Sequence, residues 1–284
     1  MKLVFRLLPL VLVIVLVVAL TGCDGFGALK PQERLQVATT TSLYDTGLWG
    51  YLEPMFEEEY GVELDVISAG TGIALEFGRR GDVDVIVVHS KSRELAFVDE
   101  GYGLERVPFA YNYFLIVGPA DDPAGIAGMS PEEAFVTLFT GGDGEFVSRG
   151  DDSGTQGKEK AIWAVAGYDY ETIQQSGQWY IEAARGMGPT LLMASEKQAY
   201  TLTDMGTFLS YQGEIDLVPI VDSGAILLNV YSVIVTINGD NTEMAANLVA
   251  FLTSPDIQEL IGKYSVEEYG LALFTPCTGD EPES

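Results

Sequence analysis

Three times along this chain a short apolar run ends in hydroxyl residues or glycines and passes straight into a helix-like segment. Leu35-Gln36-Val37-Ala38 leads into Thr39-Thr40-Thr41-Ser42 and a helical stretch from Leu48 to Tyr60. Leu64-Asp65-Val66-Ile67 is followed by Gly70-Thr71-Gly72 and a helix from Ile73 to about Arg79. Glu145-Phe146-Val147 precedes Ser148-Arg149-Gly150-Asp151-Asp152-Ser153-Gly154-Thr155, after which an amphipathic segment runs to Ala166. A further strand, Asp84 to Val88, is almost wholly apolar, as a strand covered on both faces should be, and a helix from Ser92 to Glu100 follows it. This alternation predicts an α/β fold on a parallel, doubly wound sheet. Ligands of such sheets sit beyond the carboxyl ends of the strands, where all three polar junctions fall.

The chemistry of those junctions is that of an anion site. Ser153, Gly154 and Thr155 stand at a helix start, where backbone N–H groups lack intrahelical partners and the dipole is positive. Two hydroxyls and the Arg149 guanidinium complete a place suited to a small oxyanion. An ordinary helix cap, with Arg149 paired to an aspartate, explains that turn equally well on its own. Three such junctions favour one site built from several loops. Glycines 70, 72 and 154 would let backbone approach a ligand closely.

Charge narrows the partners. Lys and Arg total 15 against 42 Asp and Glu, a net of −27. Loss of residues 1–22 would remove Lys2 and Arg6 and no acid, leaving −29. Nucleic acid and anionic membrane surfaces are therefore poor partners, and a salty medium would screen the self-repulsion. An anion must then be held by short-range donors in a dry cleft.

The chain opens with Lys2 and Arg6, an uncharged run from Leu7 to Leu20, and Thr21-Gly22-Cys23. That run is short for a membrane span and has the layout of a signal peptide. Leu20-Thr21-Gly22-Cys23 also resembles a prokaryotic lipobox, which implies cleavage before Cys23 and lipidation of its thiol. Residues 1–22 are thus expected to be a signal peptide and 23–34 a tether. Only Cys277 remains, so no internal disulfide is available, and no Cys/His spacing suits zinc.

Two β-rich runs, Tyr111 to Val117 and Ile226 to Val235, read as crossings between lobes. The expected division is lobe 1 over 35–118 and 226–276, lobe 2 over 119–225, and an acidic tail over 277–284. Helices are expected over Pro131 to Phe139, Lys158 to Ala166, Pro189 to about Tyr200, Asn241 to Leu252 and Pro255 to Tyr264.

Other classes of function fit less well. A hydrolase would need the single histidine, His89, beside a nucleophile such as Ser42 or Ser153, but no Gly-x-Ser-x-Gly elbow exists. An acidic adhesive lipoprotein explains anchor and charge but not the donor-rich junctions. Trp49, Tyr51, Phe56, Trp163, Trp179 and Tyr180 read as packing residues. Asp82 and Asp84 read as partners of local backbone rather than metal ligands.

Thr39-Thr40-Thr41-Ser42, Gly70-Thr71-Gly72, Asp82 to Val85 with Val88-His89, Ser148 to Thr155, and Met193-Ala194-Ser195-Glu196-Lys197 with Tyr200 to Asp204 together resemble the tungstate-binding component of an ABC importer, related to molybdate-binding proteins. The matches run in order from about Gln36 to Pro276. The resemblance implies a type II periplasmic-binding-protein fold: two doubly wound α/β lobes, a two-segment hinge, and closure on one tetrahedral oxyanion, tungstate or molybdate. It implies no enzyme activity, no cofactor, and a monomer that serves an ABC permease and its ATPase from the outer face of the membrane. Carried over, the site residues are Thr40, Thr41, Ser42 and Thr71 from one lobe, with Arg149, Ser153, Gly154 and Thr155 from the other. Ala194 and Ser195 would add N–H groups at a helix start. Gln156 departs from the family pattern, where histidine is frequent, as does Met205, where arginine is. The segment from Arg149 to Thr155 also resembles the phosphate-binding loop of related receptors, so phosphate is the second candidate, with Asp151 or Asp152 as acceptor for its proton.

Overall fold

Arg34–Thr40 (β1) enters the structure as a strand whose last residues are all buried, and its carboxyl end stops at a turn of hydroxyls. The computed structural model describes residues 33–141 and 143–282. The expected signal peptide, the Cys23 lipidation site and nearly all of the tether lie outside them. Residues Arg34–Ser284 form one compact unit.

From β1 the chain alternates as its pattern predicts. Thr41–Asp45 (α1) and Leu48–Tyr60 (α2) lead to Glu63–Ala69 (β2), then Thr71–Arg80 (α3), Val85–Val88 (β3) and Lys91–Asp99 (α4). Gly61 and Gly81 end α2 and α3 in the left-handed conformation, at φ 66° and 75°, which glycine adopts without strain. β2, β1 and β3 are parallel neighbours, with Thr40 opposite Ala69 and Thr39 opposite Val87. That register puts the turns after β1, β2 and β3 at one edge of the sheet. Asp84 fixes the other edge, accepting from the N–H groups of Gln36 (2.9 Å) and Asn241 (2.8 Å). It serves backbone, as its sequence position suggests.

Gly103–Pro119 (β4) is a 17-residue strand with two duties. Its first half pairs antiparallel with Leu228–Thr236 (β9), and its last residues pair with Thr201–Asp204 (β7) and Leu217–Val221 (β8). The resulting order is β10-β4-β9-β3-β1-β2, where β10 is Thr275–Pro276. The sheet is therefore mixed rather than parallel throughout. β4 leads into the intervening segment and β9 returns from it, and the two form a long antiparallel pair, a geometry that strand composition does not reveal.

Between β4 and β9 lie Pro131–Gly141 (α5), Phe146–Ser148 (β5), Gly154–Val165 (α6), Tyr170–Gln174 (α7), Tyr180–Glu182 (β6), Met187–Lys197 (α8) and Met205–Ser210 (α9). β5 and β6 are parallel, and Phe146 bridges in parallel to Tyr200 just before β7. The C-terminal stretch adds Thr242–Thr253 (α10), Pro255–Lys263 (α11) and Val266–Tyr269 (α12).

One apolar core centres on β1, α2, β9 and α10 and extends to Met187, Leu191 and Ala194 of α8. A second packs Phe114 of β4 against Phe135, Phe146, Trp163, Tyr180 and Tyr200 of the intervening segment. Trp163 packs on Phe135 at 4.6 Å between ring centroids, so these aromatics are packing residues, as expected. The tail is not loose where described. Cys277 and Gly279 donate to the carbonyls of Phe109 and Pro108, and Glu281 pairs with Lys91 (2.5 Å) and Arg106.

Candidate anion site

The site is assembled from strand ends. Thr40 caps α1, its Oγ1 accepting from the Leu43 N–H at 3.3 Å, and Ser153 caps α6, accepting from the Gln156 N–H at 3.2 Å. A hydroxyl that accepts from the helix has its own proton left to give. Thr39 is used up structurally: it accepts from Trp49 Nε1 and donates to the Val87 carbonyl, both at 3.1 Å. Thr41 is half-buried at the first position of α1, and Ser42 is buried beside it.

Thr71 and Thr155 are buried at the starts of α3 and α6, and neither Oγ1 has a partner among the described residues. Both hydroxyls therefore have a proton uncommitted to the protein, at helix starts where an anion could accept it. Gly72 and Gly154 keep this region close-packed. A Cβ on Gly72 would lie 2.8 Å from the Arg93 guanidinium and 3.0 Å from Asp152 Oδ2. On Gly154 it would lie 2.6 Å from His89 Cε1. The loop before α6 thus rests directly on the turns after β2 and β3. Arg93 of α4 clasps it, donating to the carbonyl and carboxylate of Asp152, both at 3.2 Å.

Arg149 is 4 % exposed. Its Nη2 pairs with Asp151, and its Nε donates to the Arg185 carbonyl at 3.3 Å. Asp151 spends its other oxygen on the Ser153 N–H at 3.2 Å. Asp151 therefore orients the arginine and the loop. Burial raises both Asp45 and Asp204, and Arg149 opposes the shift in each, so the guanidinium acts on several loops at once. Asp204 caps α9, accepting from the Thr207 N–H (2.9 Å) and hydroxyl (2.7 Å). Asp152 is turned outward to Arg93, with its side chain 73 % exposed. None of these carboxylates is both buried and free to accept a ligand proton.

Gln156 is neutral and buried, accepting from the Asp152 N–H and donating to Tyr170 at 2.8 Å. It braces the loop by hydrogen bonds, without charge. Below it, Glu159 receives Ser148 Oγ and Tyr180 OH, each at 2.6 Å. Burial nevertheless pushes the Glu159 carboxyl up to about 7 from 4.5. Between those values the folded chain keeps a proton that the unfolded chain has lost, so stability falls as pH rises through the window. Glu159→Gln removes that slope. Its Tm relative to the parent should rise between about pH 5 and pH 8, as thermal unfolding at both would read.

Ser195 is not with the others. α8 begins at Met187, eight residues earlier, so Ser195 lies in its last turn, where its Oγ accepts from the Asp216 N–H at 2.8 Å. The expectation of a helix start at Ala194 and Ser195 is corrected on this point. The open N–H groups at that helix belong to its first residues, after Gly186, next to Arg185 and hence to Arg149. Pro189, which suggested the boundary, sits inside the first turn, where its missing N–H costs nothing.

His89 Nε2 lies 3.1 Å from Ser42 Oγ, the pairing a hydrolase would need. Burial pushes this imidazole down to about 4, with Asn229 opposing and Arg149 and Lys158 assisting. Its Nδ1 has no partner among the described residues, so no carboxylate orients it. A base so weak and unsupported does not activate a serine. A cavity of about 500 Å³ borders His89 and Gly154, walled by Ala161, Ile226, Leu228 and Val230. Its Lys158 is held by the carbonyls of Ile226 (2.7 Å) and Leu228 (2.9 Å), and its Lys91 by Glu281. Both cations are thus held by groups of the protein.

Sequence reasoning passed over Arg93, Asp204 and the α8 start. Only Asp204 carried a signal, as a capping residue before a helix.

The family model for the PBP superfamily domain matches residues 28–256. The tungstate-binding protein TupA of Peptoclostridium acidaminophilum is 42 % identical over 95 % of this chain and 98 % of its own length. Among solved structures, the tungstate-binding protein TupA of Desulfovibrio alaskensis G20 aligns with a TM-score of 0.75 at 38 % identity, over 86 % of this chain and 99 % of that one. The structure described as the tungstate ABC transporter from Geobacter sulfurreducens gives 0.73 at 43 % identity, over 82 % and 99 %. With this coverage at both levels, the chain belongs to the TupA family of the periplasmic-binding-protein superfamily.

Proposed function

We propose that this chain is the extracytoplasmic receptor of an ABC importer and captures tungstate, with molybdate as a close competitor, for delivery to a membrane permease and its ATPase. The observation that carries the reading is the donor set. Thr71 and Thr155 are buried with unspent hydroxyls, Thr40 and Ser153 cap their helices by accepting and keep their own protons to give, and Arg149 is fixed by Asp151 on the loop that carries Ser153 and Thr155. A tungstate or molybdate dianion carries no proton near neutral pH and is matched by donors alone. Hydrogen phosphate brings a proton that needs an acceptor, and Asp151, the nearest candidate, is spent on Arg149 and Ser153. The two lobes, 35–118 with 226–276 and 119–225, would close by hinge motion through β4 and β9. As a family member the chain is a solute-binding protein, not an enzyme. Anchoring through a lipid on Cys23 and a monomeric state complete the proposal.

Calorimetric titration of residues 30–284 with tungstate, molybdate, sulfate and phosphate tests it. Tight tungstate binding with feeble phosphate binding is the expected result. A preference for phosphate would keep the fold and overturn the ligand. Thr155→Val keeps the shape and removes one hydroxyl, so tungstate affinity should fall about tenfold in the same titration, as loss of one hydrogen bond to a charged ligand predicts.

A further inference from the structure

We propose that Arg93 is a positioning residue that holds the Thr71 turn and the Thr155 loop against each other, and so sets how slowly a bound oxyanion leaves. This rests on the receptor reading and the division into lobes given above. Thr71 and Thr155 carry buried hydroxyls with no partner among the described residues, but they belong to separate halves of the donor set. Thr71 opens α3 after β2, in lobe 1, whereas Thr155 lies in the first turn of α6, in lobe 2. Both can meet one small anion only while the two halves are kept at a fixed distance.

Arg93 spans that distance. From α4 in lobe 1 it reaches the loop before α6 with both arms of its fork, Nη1 donating to the Asp152 carbonyl and Nη2 to its carboxylate, each at 3.2 Å. One arm grips backbone and the other side chain, so the loop is fixed in orientation as well as in distance. The pair lies directly on Gly72, the neighbour of Thr71. A Cβ there would sit 2.8 Å from Arg93 Nη2 and 3.0 Å from Asp152 Oδ2. On the loop side, Asp152 stands at φ 56°, a left-handed conformation that Asp and Asn accept more readily than other side chains. Its N–H donates to Gln156 Oε1, which ties it to the residue after Thr155. A line of contacts thus runs from the Thr71 turn through Arg93 and Asp152 to the Thr155 turn.

The pair is open to solvent, with side-chain exposures of 32 % for Arg93 and 73 % for Asp152, so it is screened and contributes little to the fold. Its effect falls on the lifetime of the complex. The halves must part for the anion to leave, and the clasp resists that parting. It adds nothing to the first encounter, so its loss shows in the dissociation rate.

Stopped-flow kinetics of tungstate binding and release test this. Arg93→Gln should raise the dissociation rate about fivefold and leave the association rate within about twofold of the parent, with unchanged thermal unfolding of the ligand-free protein. Asp152→Asn, which suits the left-handed backbone, should raise dissociation about threefold in the parent and add nothing in the Arg93→Gln background, as two partners of one contact do. Gly72→Ala pushes the pair apart without altering either partner and should also speed release about threefold. The gap between the parent and Arg93→Gln should narrow as NaCl is raised, because screening weakens the pair. A parental dissociation rate in Arg93→Gln would overturn the proposal. So would an effect confined to association, which marks a steering charge, or full additivity with Asp152→Asn. A parent that does not bind tungstate would remove the receptor reading as well. Tungstate bound by the parent and released at the same rate by all three variants would remove only the role of Arg93.

Discussion

Arg149→Ala is expected to weaken tungstate binding by roughly 10²–10³-fold, the largest single effect in the molecule. The guanidinium is buried, fixed by Asp151 and by the Arg185 carbonyl, and lies at the end of a parallel strand among the donors. Desolvated, preoriented charge gives more per contact than a mobile surface lysine, because its ordering cost is met on folding. The substitution also leaves Asp151 without its cation, which places an uncompensated carboxylate next to the ligand. Arg149→Lys keeps the charge but loses the planar fork, and should fall between parent and alanine. Titration calorimetry on variants with parental thermal unfolding measures all three. Parental affinity in Arg149→Ala would mean that the anion binds elsewhere.

Gly154→Ala is the second large effect, and it acts by shape. The added Cβ would lie 2.6 Å from His89 Cε1 and 3.1 Å from Nδ1, inside van der Waals contact. The ring cannot retreat, because Phe114, Tyr231 and Ser42 hold it from other sides. Overpacking of this kind costs about 1–3 kcal/mol, which separates the α6 loop from the β3 turn in the bound form. Tungstate affinity should fall by about one to two orders of magnitude. Gly154 has ordinary helical backbone, so the fold itself should survive. Small-angle scattering with and without tungstate would show reduced compaction on binding. Unchanged affinity would mean that the contact between Gly154 and His89 is not made in the bound form.

Much of this was legible in advance where local chemistry decides. The helix Leu48–Tyr60 was readable from its apolar residues, and Ser153 to Thr155 were readable as a helix start, where the structure makes Ser153 the cap. The hydroxyls of Thr40, Thr71 and Thr155 were visible because strand–turn–helix junctions put N–H groups and side-chain donors together. The short strands β6, β7 and β8 were missed. Each is three to five residues long and stabilised by neighbours distant in sequence, so no periodicity develops. Ser195 was misplaced for a related reason: the start of α8 is set by Gly186 and by packing of Met187 and Leu191 in the core, not by Pro189.

The sequence by itself determined the parallel first three strands, the donor-rich turns at their ends, the need to hold an anion inside an acidic molecule, and Arg149 as the candidate cation. These depend on residue type and short spacing, which a chain carries without folding. Only the tertiary structure decided that Asp151 is spent on Arg149, that Arg93 clasps Asp152 across 59 positions, and that His89 meets Ser42 across 47. Hydrogen-bond partners are a property of geometry: a carboxylate or a histidine is acceptor, donor or bystander according to which atoms the fold brings within about 3 Å of it.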